Sequence, residues 1–76
     1  MDIVYSKHAK ENMIERKVPY SDVKEAILNP EKVIESKKGR KIAQKTIGNR
    51  LLRVIYLKTE KVYIIVTVYY TRIGRY

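Results

Sequence analysis

The chain has 76 residues, 45% of them hydrophobic and 33% charged, with a formal charge of +9 and no cysteine. That length makes one domain, residues 1–76, and buries only about 60% of the surface its unfolded form exposes, so the core is thin. The composition is too apolar for a disordered tail, and the missing cysteines exclude disulfide frameworks, thiolate zinc sites and thiol catalysis.

The charge is unevenly placed. Residues 1–30 carry five Lys/Arg and five Asp/Glu, whereas residues 31–76 carry twelve and three. One half of a small domain therefore produces the whole positive field, which attracts polyanions. No basic-then-apolar leader pattern opens the chain. The longest apolar stretch, Val62 to Tyr70, is too short for a spanning helix. These features, with the absence of cysteine, are the expectation for a cytoplasmic protein without a membrane anchor.

In chain order, Asp2 to Tyr5 alternates and reads as a short opening strand. Ser6 reads as an N-cap, because its hydroxyl can accept from a free helix N–H. The helix that follows runs to about Lys17, with Ala9 and Met13 as its apolar stripe. Val18-Pro19 ends it, since the residue before proline disfavours helix. Ser21 reads as a second cap, with Asp22 in a first turn that suits the helix dipole. Tyr20, Val23 and Ile27 line one side of this second helix, and Asn29-Pro30 stops it.

The hydrophobic period then changes from 3.6 to 2. Strands are expected at Lys32 to Ser36, Arg40 to Ile47, Arg50 to Leu57 and Val62 to Thr71. Turns fall at Lys37-Lys38-Gly39, at Gly48-Asn49 and at Lys58 to Lys61. The fold class is α+β: two helices on one face of a three- to four-stranded antiparallel meander, the other face at least partly open. A hairpin at Gly48-Asn49 sets Gln44 opposite Arg53 and Ala43 opposite Val54. A three-residue turn in the next hairpin sets Arg53 opposite Thr67 and Val54 opposite Val66. One face is then Ala43, Leu52, Val54, Tyr56, Ile64, Val66 and Val68. The other is Gln44, Arg53, Thr67 and Tyr69, with Ile55 and Ile65. This register buries no charge, whereas a two-residue turn would put Arg53 inward.

Four groups of residues could carry chemistry. His8 is the only histidine, and Asn12 and Arg16 follow it at i+4 and i+8 along the border of the apolar stripe. Imidazole is the natural proton shuttle near neutral pH, and Arg16 could fork onto a phosphate. A histidine in a first helical turn can equally bond locally or pack on Tyr5. Lys37, Lys38, Arg40 and Lys41 form a basic hairpin suited to phosphate contacts, or simply a solvated turn. Arg53, beside Gln44, Thr67 and Tyr69, could bind a phosphate, stack a base or stabilise a developing charge, or be one member of a polar row on a solvated face. The tail from Tyr69 through Arg72 and Arg75 to Tyr76 alternates aromatic and basic residues, which suits bases and phosphates or a partner protein. No phosphate loop, dinucleotide fingerprint or credible metal set is present, so neither metal nor cofactor is expected.

Ser6-Lys7-His8-Ala9, then Met13, Arg16, Val23 and Leu28 to Pro30, resemble a family of small prokaryotic domains of unknown function. Gly39 to Lys45, Arg50 to Val54 and Val66 to Tyr69 continue the likeness over nearly the whole chain. Members often carry arginine before the helix methionine, where this chain has Asn12. That family in turn resembles, more remotely, the BrnT and RelE/ParE toxins. The resemblance implies a RelE-like fold and a metal-independent endoribonuclease toxin held by an acidic antitoxin, with His8, Arg53, Tyr69 and Arg72 as catalytic candidates. Arg16, Lys37, Lys38, Arg40, Lys41, Gln44 and Arg75 are the candidates for binding RNA. Two other functions stay open from the residues alone: a non-catalytic nucleic-acid-binding module, and a protein-interaction domain with an acidic partner. A homodimer would cover part of what so small a core leaves exposed.

Overall fold

The computed structural model describes residues 2–74. In chain order it has β1 (Asp2–Tyr5), α1 (Lys7–Glu15), α2 (Tyr20–Leu28), β2 (Lys32–Glu35), a 3-10 turn (Lys37–Gly39), β3 (Lys41–Ile47), β4 (Arg50–Lys58) and β5 (Val62–Arg72). The architecture is α+β, and the sheet has five strands in the order β1-β5-β4-β3-β2. The expected meander is β2 to β5. The opening strand extends it by pairing parallel to β5, from Asp2 beside Val62 to Tyr5 beside Ile65. The sheet is therefore mixed and one strand larger than a four-stranded meander. The two helices carry the chain from β1 across to the far edge, and the meander returns to lie beside it.

Helix α1 packs on β5, and α2 on β3 and β4. Ala9, Met13, Val18, Val23, Ala26 and Ile27 meet Ala43, Leu52, Val54, Tyr56, Ile65 and Val68 in one core. Ser6 caps α1 as expected, its Oγ accepting from the Ala9 N–H at 3.0 Å. The helix ends earlier than Lys17. Arg16 is the C-cap, and Lys17 turns left-handed at φ 54°, so the Val18 N–H closes back on the Met13 carbonyl at 2.9 Å.

Helix α2 is capped by Pro19 rather than by Ser21. Proline already holds φ near −65° and has no N–H to leave unpaired, so the helix starts two residues sooner. Asp22 still falls in its first turn. Tyr20 is exposed rather than core, although its ring meets Tyr5 edge-on at 4.8 Å.

The β3–β4 register is the expected one, with Gln44 opposite Arg53 and Ala43 opposite Val54. The β4–β5 register differs. Arg53 stands opposite Tyr69, not Thr67, and Val54 opposite Val68, not Val66. Two local features each add one residue. Thr59 ties a longer turn, its Oγ1 accepting from Val62 N at 3.0 Å and its N–H donating to the Val62 carbonyl at 2.9 Å. Farther along, Ile55 pairs with Thr67 but Tyr56 with Ile65, so Val66 is the extra residue of a β-bulge. Because the side-chain period is 2, each addition swaps the faces. Arg53 therefore still points away from the helices, while Ile65 is fully buried in the core and Ile64 lies on the other face.

Candidate nucleic-acid interface

β1 is only four residues long and leaves β5 after Tyr5. Beyond that point the edge of β5 would expose its peptide groups, and an unpaired edge is a template for aggregation. Side chains of α1 close it. The Ser6 hydroxyl donates to the Val66 carbonyl at 3.3 Å, Asn12 Oδ1 accepts from Val68 N at 3.4 Å, and Arg16 Nη1 donates to the Val68 carbonyl at 2.7 Å. The i, i+4 stripe of Asn12 and Arg16 thus does the work of a further strand. Asn12 is buried for this reason.

One of Arg16's five donors is used on Val68, and the guanidinium also lines a cleft. Arg16, Arg50, Thr67, Tyr69 and Tyr70 surround a cavity of about 600 Å³ at the rim of the sheet. Arg50 opens β4 and lies 3.8 Å above the Tyr70 ring. The Tyr70 hydroxyl reaches Asp22 Oδ2 at 3.5 Å. Burial first, and then the Asp22 charge, hold the Tyr70 phenol above its usual pKa against the opposing pull of Arg50, so it is a neutral donor at physiological pH. Arg72 stands directly opposite Arg50 across the β4–β5 ladder. Like charges in that position repel, so the rim is poised for an anion.

On the face away from the helices, Arg53 is buried and its Nη1 donates to the Tyr69 hydroxyl at 2.7 Å. Gln44 lies beside it on β3, buried at 4% exposure, its Oε1 without a hydrogen-bond partner. Tyr69 joins the two groups, since it lines the cleft and holds Arg53. Thr67 also lines the cleft but pairs with Ile55 rather than Arg53.

The structure thus sets Arg16 and Tyr69 on one cleft, Arg72 opposite the Arg50 of that cleft, and Arg53 with Gln44 beside Tyr69 on the face away from the helices. It leaves others apart. His8 is exposed on α1 and is not part of the cleft lining; Tyr5, its alternative partner, packs on Tyr20. Lys37, Lys38, Arg40 and Lys41 cluster at the opposite end of the sheet, because β3 runs from Lys41 beside Tyr56 to Ile47 beside Arg50. Six residue steps of strand separate the two ends by about 20 Å. The basic turn and the arginine rim are therefore two patches, not one surface, and Lys41 also pairs with Glu35 at 3.6 Å. Arg75 lies outside the described residues. Among the described residues no group of His, Asp and Glu could hold a metal ion. No helix is long and apolar enough to cross a membrane.

Arg50 is the residue that sequence reasoning missed. Its signal was its place just after the Gly48-Asn49 turn, where a hairpin partner at the end of β5 must lie close. The longer turn and the bulge together make that partner Arg72.

No curated protein and no solved structure matches the chain. A family model does match, over residues 5–70. That span contains both helices, all of β2 to β4 and every residue of the cleft, so the chain belongs to the family described as Domain of unknown function (DUF4258).

Proposed function

We propose that this domain binds single-stranded RNA at the arginine rim. The carrying observation is that Arg50 faces Arg72 across the ladder with Arg16 lining the same cleft. Three guanidiniums there suit phosphates, and Tyr69 lends aromatic surface to a base. Both helices lie flat on the sheet, so neither projects as a reading head for a duplex major groove. A flexible single strand can instead follow the rim. The resemblance to the BrnT and RelE/ParE toxins points toward RNA as well, and an acidic antitoxin-like protein would compete for the same cations.

The Arg53–Tyr69 bond supports a second reading, in which the strand is cut without a metal. The RNA 2′-hydroxyl would attack the adjacent phosphate and expel the 5′-oxygen, leaving a 2′,3′-cyclic phosphate. Tyr69, oriented by Arg53, would move a proton, and the arginines would stabilise the charge that develops. His8 has no place in this step, because it is not at the cleft.

Incubation with end-labelled RNA in a chelator tests both. Binding at the rim predicts affinity that falls steeply between 50 and 200 mM salt. Salt-insensitive binding, or none, would overturn the proposal. Cleavage would appear as cyclic-phosphate ends, lost in Tyr69→Phe and retained in His8→Ala. Intact RNA after long incubation removes the second reading and leaves the first.

A further inference from the structure

The sheet face away from the helices holds a feature that RNA binding does not use. Val4 on β1 pairs with Ile64 on β5, and Ile64 with Leu57 on β4. One rung along, Ile55 on β4 pairs with Ile42 on β3, and Ile42 with Ile34 on β2. All six point to the same face, and together they cross all five strands. Val4 is 48% exposed and the other five are half-buried. No helix packs on this side.

The six band residues carry no charge in a chain of +9; on the same face Arg53 is buried against Tyr69, and Lys32 stands at the sheet edge on β2. On the helix side the same strands present Lys41, Lys45, Arg50 and Lys58, whose ladder partners Tyr56, Leu52, Ile47 and Tyr63 fix that orientation. On a solvated face a chain this basic would normally carry lysine along its central strands, and β3, β4 and β5 carry none on this one. We infer that the band is the contact face of a dimer of this chain.

Two arguments select a second copy. Two strongly positive molecules repel wherever their cations meet, and on the band they can approach with Arg53 buried and Lys32 kept at the sheet edge. Both aligned and orthogonal sheet packing bury such faces about 10 Å apart. The size also fits. The three central strands are 7, 9 and 11 residues long. With neighbouring strands about 4.8 Å apart these three cover about 430 Å², and with the two four-residue edge strands the whole face covers about 550 Å². That approaches the roughly 800 Å² per partner of a stable interface, as expected for a dimer of moderate affinity. A two-fold axis through the band would leave Arg50 and Arg72, which stand on the helix side of the sheet, outside the contact, with Thr67 of the cleft at its border opposite Ile55.

Sedimentation equilibrium from 5 to 500 µM protein tests this. The intact chain should pass from monomer to dimer across that range. The dimer should strengthen with added salt, which screens the residual repulsion, the opposite sign to RNA binding. Ile55→Lys and, separately, Ile42→Lys should shift the association at least tenfold toward monomer while circular dichroism stays native. Ile14→Lys, at an exposed α1 position outside the band, should leave it unchanged. A wild-type chain monomeric at 500 µM overturns the inference even if a variant fails to fold. So does a dimer indifferent to both band substitutions.

Discussion

Replacing Arg16 and Arg50 together by alanine is expected to weaken RNA binding by on the order of 100-fold at 100 mM salt. Each hydrogen bond from a charged donor to phosphate contributes about 1.5–3 kcal/mol, and each 1.4 kcal/mol is tenfold in affinity. Each lost phosphate contact also lowers the salt slope by about 0.7 for a single strand, so the double variant should lose about 1.4. The matched control is Lys37→Ala with Lys38→Ala, which removes the same charge from the far end of the sheet. It should cost about threefold or less, since exposed charges beyond a Debye length of ~10 Å are largely screened. Equal losses in the two variants would mean that the overall field, not the rim, holds RNA. Because Arg16 also closes the β5 edge on Val68, Arg50→Ala alone provides the variant that leaves that edge intact.

Leu52→Ala is expected to remove a large part of the stability of the domain. Leu52 is fully buried on β4, between Lys45 and Tyr70 on its neighbours and on the sheet face that packs on the helices. Leucine-to-alanine changes at such sites cost about 2–5 kcal/mol. A chain of 76 residues has only about 4–11 kcal/mol in total. The urea midpoint should fall by roughly 2 M, taking a slope near 1–1.5 kcal/mol/M for so small a protein. Ile14→Ala, at a position 79% exposed, should move it by less than about 0.5 kcal/mol. A loss below 1 kcal/mol at Leu52 would contradict the packing of helices on this face.

Much of this fold was legible because its signals are local. The Ser6 cap, the Asn29-Pro30 stop, the Gly48-Asn49 hairpin and the change of period each follow from short stretches of backbone chemistry. The parallel pairing of β1 with β5 was not legible, since it joins residues about 60 apart and no turn links them. The β4–β5 register failed for another reason. Thr59 and Val66 each add one residue, and their effects on facing cancel beyond the bulge. Arg53 was therefore placed on the correct face with the wrong partner, while Ile64 and Ile65 exchanged faces. The site followed the same pattern. Arg16 and Asn12 showed as a stripe bordering the core, and the structure gives that stripe its task. His8 shared the spacing but sits in the first turn of α1, away from the cleft. The basic turn at Lys37 to Lys41 shares the sign of the rim without sharing its place, because charge can be counted along a chain but not located.

The opposition of Arg50 and Arg72 has a thermodynamic consequence. Folding sets these two guanidiniums face to face, and the unfolded chain separates them. An anion that settles between them binds the native state alone, so its binding free energy is added to that of folding. The domain should then melt higher in phosphate than in chloride at equal ionic strength, and an Arg50→Ala chain should lose the difference. A contact that weakens the empty protein thus makes its thermal stability a readout of the anion it carries.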